Sequence, residues 1–277
     1  MRKISKKLHF LLQKILFRIY FIMKKEYILV IDSGVGGLSI LAELCKVLPA
    51  NYIYFADNKH CPYGSKTGAE ITTFLTDIIS FYCHKYTIKL VVLACNTATA
   101  SAIESLRKTF KNIVFIGTEP AVKLATNLGF NKILAITTPA TARQNKYKLL
   151  EKSVSRNVKT LSLPTFASNI EQFLCQNHIL DALRTKSDIY FIKNQLKNFD
   201  CVVLGCTHYA LIKDYLKNFI DIPLIDGSPQ IAKQTASLAK TFNLKTASTP
   251  SVKFVFSRDF SGLTQIYKKI FRQILAK

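Results

Sequence analysis

Two cysteines, Cys95 and Cys206, occupy similar sequence settings. Each follows a run of apolar residues and precedes small polar residues that predict the start of a helix, in residues 91–97 (VVLACNT) and 202–208 (VVLGCTH). A thiol at that point lies near backbone N–H groups and the positive end of the helix dipole, which favours thiolate. If the two segments face each other, one thiolate can remove a proton from a carbon while the opposite thiol delivers one to the other face. The pair therefore indicates inversion of a carbon centre.

Other chemistry remains open for these residues. His208, two residues after Cys206, is close enough to share a proton with that thiol. Cys206 and His208 alone also fit a cysteine hydrolase, although that leaves the matched Cys95 unexplained. A metal site with Cys95, Cys206 and His208 as ligands is a further option, but the spacing offers no fourth ligand. For any single cysteine, burial as a small hydrophobic residue is the alternative.

A glycine-rich turn at residues 32–37 (DSGVGG) follows another apolar run. Glycines let the backbone approach an anion such as a phosphate or a carboxylate. The turn lacks the Walker A pattern, and Ser39 stands where a dinucleotide fingerprint needs its third glycine, so a nucleotide site is disfavoured. Asp32 has two interpretations, one as a side chain that polarises a neighbouring catalytic group and one as the cap of the following helix.

Short apolar runs alternate with segments of helical period along the whole chain. The predicted strands are residues 27–31, 52–55, 90–93, 113–116, 133–136, 201–204 and 252–256. The predicted helices include residues 39–48, 70–86, 97–108, 142–155, 169–177 and 209–219. Alternating strands and helices predict α/β layers with mainly parallel sheets, in which ligands gather at the carboxyl ends of the strands.

The chain also contains a weak internal repeat. Residues 28–33 (ILVIDS) resemble residues 133–138 (ILAITT), and residues 91–97 resemble residues 202–208, so the order and approximate spacing are kept. Chance similarity between apolar strands is the alternative. The repeat predicts two similar α/β halves, each with one cysteine at the end of a strand.

The composition excludes disorder, because 49% of the 277 residues are apolar and only 20% are charged. The length suggests about two domains. A net charge of +22 invites a nucleic-acid partner. However, no motif with aromatic residues interleaved among basic ones is recognisable, so no specific nucleic-acid partner is expected. The charge is more consistent with a generally basic surface.

Residues 1–22 are basic and apolar and contain no acidic residue. Lys14 and Arg18 interrupt the apolar stretch, so a membrane span is not expected, and the segment lacks a secretory cleavage site. An interfacial helix stays open. Our hypothesis is that Met23 is the natural start and that residues 1–22 are a non-native extension. Without an export signal, the seven cysteines indicate the reducing cytoplasm.

In the combination and order of these motifs, the chain resembles the glutamate racemases of the aspartate/glutamate racemase superfamily. The matching motifs are DSGVGGL (32–38), YFAD (54–57), PYG (62–64), CNT (95–97) and GCTHY (205–209). The resemblance implies interconversion of L- and D-glutamate by two bases and without a cofactor, which supplies D-glutamate for peptidoglycan. A racemase of the same superfamily acting on aspartate or another amino acid is the alternative.

The resemblance also implies roles for individual residues. Cys95 and Cys206 would be the two acid/base residues, assisted by Asp32 and His208 respectively, and Glu171 matches a supporting glutamate of the family. The implied substrate contacts are Asp32, Ser33, Tyr63, Gly64, Asn96, Thr97, Thr207 and His208. The chain departs from the family pattern at Leu163, where many members have a cysteine, and at residues 118–120.

The fold implied by the resemblance is a pair of pseudo-symmetric, Rossmann-like α/β domains with the active site in the cleft between them. We expect the first domain to comprise residues 23–116 plus 230–277 and the second to comprise residues 117–229. No metal is expected. The substrate glutamate is the expected partner, and the sequence leaves the oligomeric state open, with a homodimer as one option.

Overall fold

The computed structural model describes residues 25–154, 157–176 and 179–276, without the side chains of residues 176 and 179–184. The predictions about residues 1–22 therefore lie outside the described residues. Within the described ranges, no helix is both long enough and apolar enough to cross a membrane.

Strands and helices alternate along the described chain. The strands are β1 (Glu26–Asp32), β2 (Asn51–Ala56), β3 (Thr87–Leu93), β4 (Val114–Gly117), β5 (Lys132–Thr137), β6 (Asn157–Ser162), β7 (Cys201–Gly205), β8 (Leu224–Ile225) and β9 (Ser251–Phe256). The helices are α1 (Leu38–Val47), α2 (Gly68–Lys85), α3 (Asn96–Thr109), α4 (Val122–Asn127), α5 (Pro139–Arg143), α6 (Asn145–Lys152), α7 (Phe166–Gln176), α8 (Ile179–Asn194), α9 (Thr207–Leu211), α10 (Lys213–Leu216), α11 (Ser228–Thr241) and α12 (Leu263–Leu275).

The strands form two parallel sheets with the same internal order. The first sheet runs β4-β3-β1-β2-β9 and the second runs β6-β5-β7-β8. If β5 is matched with β1 and β7 with β3, as the sequence repeat predicts, then β6 matches β2 and β8 matches β4. Four strands of each sheet thus share one order, and β9 is added at the edge of the first sheet. The predicted fold class is confirmed.

Consecutive apolar residues in the central strands are explained by burial on both faces of each sheet. In β1, Val30 packs into the hydrophobic cluster on one face and Leu29 into the cluster on the other. In β5, Leu134 and Ile133 divide in the same way between two further clusters. Because successive side chains of a strand point to opposite faces, a strand covered on both sides must be apolar throughout.

Several elements were not predicted, and others differ from the prediction. The strand β6 was missed because Val158 and Leu161 are its only apolar residues and none of its residues is fully buried. The strand β8 has only two residues. The helices α4, α8, α11 and α12 were also missed. The predicted helix 142–155 begins earlier, after Thr138, and is divided at Gln144, whose backbone is extended. The predicted helix 209–219 is divided at Ile212.

The end of the chain returns to the first sheet. Strand β9 pairs in parallel with β2, α11 packs on α1, and α12 packs on both α1 and α7. A first domain formed by an early and a late segment of the chain requires such contacts between the two segments. The predicted boundaries at residues 116, 117, 229 and 230 stay a prediction.

Candidate active site

The two cysteines occupy equivalent positions in the two sheets. Cys95 follows β3 and is the N-cap residue of α3, and Cys206 follows β7 and is the N-cap residue of α9. In each sheet the neighbouring strand, β1 or β5, connects to a strand on its other side. Such a reversal of strand order opens a crevice at the carboxyl ends of the strands, where ligands of α/β proteins bind. The fold therefore places each thiol at a position suited to ligand binding.

Both thiols line one cavity. Its other lining residues are Ser33, Pro62, Tyr63, Gly64, Asn96, Thr97, Thr138, Thr141, Ala167, Thr207 and His208. Every residue for which the resemblance implied a substrate contact lines this cavity except Asp32. The cavity encloses about 20 Å³ of free space, which accommodates about one water molecule. The site is closed in this structure, and an amino acid enters only if its walls move apart.

Asp32 lies behind the cavity wall and is completely buried. The backbone N–H of Gly34 donates to its Oδ1 at 2.7 Å, and the Thr207 hydroxyl donates to its Oδ2 at 3.0 Å. Burial raises the pKa of Asp32 to about 6, although the nearby His208 charge and these hydrogen bonds oppose the shift. The helix-cap interpretation is wrong, because α1 begins at Leu38 and its N-cap is Gly37. Asp32 instead connects the first sheet to the start of α9.

The environment of Cys95 differs from the expected one. The backbone N–H of Ala98 donates to its sulfur, as the position at a helix start predicts, and this favours thiolate. Burial and the negative charge of Asp32 outweigh that bond, so the pKa of the Cys95 thiol is raised above its usual range. Burial and Asp32 therefore favour the protonated thiol of Cys95, against the effect of the helix start.

On the opposite side, His208 forms a buried ion pair with Glu171. His208 Nε2 donates to Glu171 Oε2 at 2.6 Å, and His208 Nδ1 lies 3.8 Å from Cys206 Sγ. Burial alone would lower the pKa of His208, but hydrogen bonds with Cys206, Cys61 and Glu171 raise it well above its usual value. Burial alone would raise the pKa of Glu171, but the His208 bond and charge lower it. Both groups are therefore charged, and the imidazolium faces Cys206.

Glu171 is held from several directions. The backbone N–H of Val35 donates to its Oε2 at 2.8 Å, the Cys175 thiol to its Oε1 at 3.5 Å, and the Tyr267 hydroxyl to its Oε1 at 3.4 Å. The glycine-rich turn thus does approach an anion, as predicted, but the anion is the carboxylate of Glu171. A Cβ atom on Gly34 would overlap this carboxylate. The turn therefore needs glycine there because α7 delivers a charged side chain onto it.

Three hydroxyls form a cluster at another part of the cavity wall. Thr97 Oγ1 lies 3.1 Å from Thr138 Oγ1 and 3.2 Å from Thr141 Oγ1. Sequence reasoning missed Thr138 and Thr141 as site residues. Thr138 occupies the position of Ser33 in the internal repeat, and both line the cavity, so the repeat contained the signal that would have found it.

Tyr63 and Asn96, two further predicted substrate contacts, differ in whether their polar atoms already have hydrogen-bond partners. The Tyr63 hydroxyl already donates to Asp57 Oδ2 at 2.7 Å, so its polar end is engaged by the protein. Asn96 Oδ1 is buried at the cavity and has no hydrogen-bond partner within the part of the chain that the structure describes. A buried unpaired amide oxygen is costly. Asn96 is therefore the lining residue that gains most from a ligand that donates a hydrogen bond.

The alternative of a metal site formed by Cys95, Cys206 and His208 is not supported. Across the described residues, the cysteine, histidine and acidic side chains whose ligand atoms lie within 4.8 Å of one another are Cys61, Glu171 and His208. This group includes His208 but neither Cys95 nor Cys206. The two thiols of the cavity are therefore better suited to proton transfer than to metal binding.

Replacement of Asp32 tests whether its buried, ionised carboxylate lowers the free energy of unfolding. The pKa of Asp32 is raised from its usual value of 3.8 to about 6 in the folded chain. Such an acid lowers the free energy of unfolding as the pH rises through this range, because the unfolded chain releases the proton more readily. We expect Asp32→Asn to gain about 2 kcal/mol in free energy of unfolding, relative to the unchanged protein, between pH 4 and pH 7. Urea unfolding of both proteins at the two pH values measures this, and a pH-independent difference would contradict it.

Gly36 provides a steric test of the contact between the two halves. A Cβ atom there would lie 2.6 Å from both His208 Nδ1 and Thr207 Oγ1. We expect Gly36→Ala to lower the free energy of unfolding by about 1–3 kcal/mol, because these packed side chains must move. The matched control is Gly68→Ala, whose Cβ would be 3.7 Å from Ser101 Cβ. Equal stability of the two variants in thermal unfolding would show that the turn is loosely packed.

Comparison with known proteins agrees with this geometry. A family model described as Asp/Glu/Hydantoin racemase matches residues 28–235. A glutamate racemase of Clostridium botulinum is 35% identical over 252 residues, which cover 86% of this chain and 94% of that relative. One from Clostridium novyi is 40% identical over 203 residues, covering 71% and 77%.

Solved structures also resemble this one. The glutamate racemase of Francisella tularensis in complex with D-glutamate has a TM-score of 0.70 and 31% identity, covering 91% of this chain and 94% of that one. The Escherichia coli glutamate racemase in complex with L-glutamate and the activator UDP-MurNAc-ala has a TM-score of 0.74 and 27% identity, covering 90% and 95%. The resemblance inferred from the motifs is confirmed, and the chain belongs to the Asp/Glu/hydantoin racemase family.

Proposed function

We propose that this chain interconverts L- and D-glutamate, with Cys95 and Cys206 as the two acid/base residues. The observation that carries the proposal is that both thiols, at equivalent strand ends of two matching sheets, line one buried cavity. The relatives named glutamate racemase, at 35% and 40% identity, support glutamate as the substrate. Aspartate or another amino acid is the alternative substrate within the family.

In this scheme one sulfur removes the α-proton and the other returns a proton to the opposite face. The sulfur that takes the proton becomes a thiol, and the one that gives it becomes a thiolate, so the pair ends each turnover with its roles exchanged. The thiols make both proton transfers, and the scheme uses no cofactor. General acid–base groups placed in this way contribute a factor of roughly 10²–10⁴ to the rate.

The α-proton is weakly acidic, so the cavity must stabilise the negative charge that develops on its removal. Asn96, Thr97 and Thr207 line the cavity and carry side-chain donors. In our proposal they bind the α-carboxylate, and Ser33 and Thr138 extend the set symmetrically. Donors fixed in advance in a closed site stabilise developing charge without reorganisation of water.

The two sides of the cavity carry opposite charges, which gives the thiols different roles in the resting site. The anionic Asp32 raises the pKa of Cys95 together with burial, whereas the His208 imidazolium lies 3.8 Å from Cys206 Sγ. We infer that burial and Asp32 favour the protonated form of Cys95, and that His208 stabilises the negative charge that develops on Cys206 during proton transfer. Asp32 and the His208–Glu171 pair act as positioning groups through the two sulfurs.

The proposed role of the reaction is to supply D-glutamate for peptidoglycan synthesis, and the proposed location of the protein is the cytoplasm. The seven cysteines, all within the described ranges, are free thiols, which fits a reducing compartment. We also infer two domains, residues 23–116 plus 230–277 and residues 117–229, because β9 and α11 join the first sheet and its helices. The proposed catalytic cavity lies between the two.

Single replacements of the thiols test the two-base scheme. We expect Cys95→Ala and Cys206→Ala each to lower racemisation by a factor of about 100 or more. Each variant retains one base and therefore exchanges the α-hydrogen of one enantiomer with solvent deuterium without inversion, and the two variants act on opposite enantiomers. Incubation of each with L- and with D-glutamate in D₂O, followed by NMR and chiral analysis, measures both effects.

The matched control is Cys45→Ala, because Cys45 is a buried thiol on α1 outside the cavity. We expect the Cys45→Ala variant to racemise glutamate at the rate of the unchanged protein in D₂O, without any added cofactor. Full racemisation by either cavity variant would refute the two-base scheme. Parallel assays with L-aspartate separate the alternative substrate, since faster turnover of aspartate than of glutamate would overturn the substrate assignment and leave the scheme intact.

A further inference from the structure

We propose that Cys61, Glu171 and His208, with Cys175 as a fourth ligand, form an inhibitory zinc site behind the catalytic cavity. The ligand atoms of the first three residues all lie within 4.8 Å of one another. The Cys61 thiol also makes a hydrogen bond with His208. A sulfur, an imidazole nitrogen and a carboxylate oxygen are ligands that zinc binds in proteins.

The distances are compatible with closure around one ion. Zinc binds sulfur at about 2.3 Å and nitrogen or oxygen at about 2.0–2.2 Å, so tetrahedral ligand atoms lie roughly 3.5 Å apart. The His208 Nε2 to Glu171 Oε2 distance is already 2.6 Å and must widen. The other two pairs among Cys61, Glu171 and His208 need at most a contraction of about 1 Å, and Cys175, which lies outside that group of three, must approach the ion by rotation of its side chain.

Cys175 is the candidate for the fourth ligand, although its sulfur lies outside the group of three whose ligand atoms are within 4.8 Å of one another. It lies one helical turn after Glu171 on α7, so both side chains project from one face, and its Sγ is 3.5 Å from Glu171 Oε1. Two cysteines, one histidine and one carboxylate form a soft to intermediate donor set. Such a set favours zinc over magnesium and calcium, which prefer oxygen ligands.

An entry route to these residues exists on the side of Glu171 away from the catalytic cavity. A second cavity of about 550 Å³ is lined by Cys61, Glu171 and Cys175, and also by Tyr267 and Arg258. Arg258 opposes the approach of a cation. The thiol protons and the proton shared by His208 and Glu171 leave to solvent on binding, and the resulting two thiolates and one carboxylate outweigh that charge near the ion.

Zinc at this site would alter the group that supports Cys206, because His208 would no longer be an imidazolium held in place by Glu171. His208 Nε2 would bind the ion and Glu171 would no longer pair with the imidazolium. In the proposed function, His208 stabilises negative charge on Cys206, so occupancy by zinc inhibits racemisation. This inhibitory consequence rests on the proposed function, whereas the binding of zinc does not.

The first experiment measures binding alone. Zinc affinity and stoichiometry are obtained for the reduced, metal-free protein by competition with a chromophoric chelator, and cobalt(II) is added separately to record thiolate-to-metal absorption. We expect one ion per chain, with affinity at least tenfold lower in Cys61→Ala and also lower in Cys175→Ala. The control Cys45→Ala binds as the unchanged protein does, and circular dichroism verifies that each variant is folded.

The cavity thiols are the competing zinc ligands, and a double variant separates the two sites. We expect Cys95→Ala combined with Cys206→Ala to retain the ion and its cobalt absorption. Loss of the ion in this double variant, or unchanged affinity in both Cys61→Ala and Cys175→Ala, would overturn the proposed site. Because these readouts do not involve turnover, they remain interpretable if the protein is not a glutamate racemase.

The second experiment measures inhibition, with each protein compared to its own metal-free rate. The zinc concentration that halves the racemisation rate is expected to be at least tenfold higher for Cys61→Ala than for the unchanged protein or for Cys45→Ala. Magnesium is expected to leave the rates of all three proteins unchanged. Equal sensitivity of the three proteins to zinc would refute inhibition through this site. A protein that binds zinc at the site but racemises nothing would contradict the proposed function alone.

Discussion

The buried ion pair between His208 and Glu171 is the interaction on which the rest of the site depends. An uncompensated charge at either position would be costly, so each partner requires the other and additional hydrogen bonds. Val35, Cys175 and Tyr267 donate those bonds to Glu171. The pair therefore joins the glycine-rich turn of the first sheet, the helices α7 and α12, and the start of α9 after the second sheet.

A second buried connection runs in the opposite direction across the same boundary. Asp32, at the end of β1, accepts a hydrogen bond from Thr207 at the start of α9. The first half therefore places Asp32 against the start of α9, and the second half places Glu171 against the glycine-rich turn. The charge of Asp32 acts on Cys95, and His208, the partner of Glu171, lies next to Cys206. The electrostatic difference between Cys95 and Cys206 follows from this arrangement, since one faces a carboxylate and the other an imidazolium.

The duplicated topology explains why two thiols converge on one cavity. Both sheets place their cysteine after the strand at which the order of connections reverses, and the carboxyl ends of those strands face the same space. His208 lines the catalytic cavity and pairs with Glu171, which lines the larger cavity. A ligand on the far side can therefore affect the chemistry of Cys206 through the imidazole ring.

The sequence by itself determined the α/β class, the duplication, the two cysteines and most of the cavity lining. Local patterns were sufficient for the fold class and the cysteines, because buried parallel strands are apolar throughout and functional residues follow their ends. The cavity lining was implied by the resemblance of the motifs to a known family. Only the tertiary structure decided that Glu171 occupies the glycine-rich turn, that burial raises the pKa of the Cys95 thiol, and that Cys61 lies beside His208 and Cys175 beside Glu171. Those properties arise from burial and from contacts between residues far apart in the chain, which no local pattern of residue types encodes.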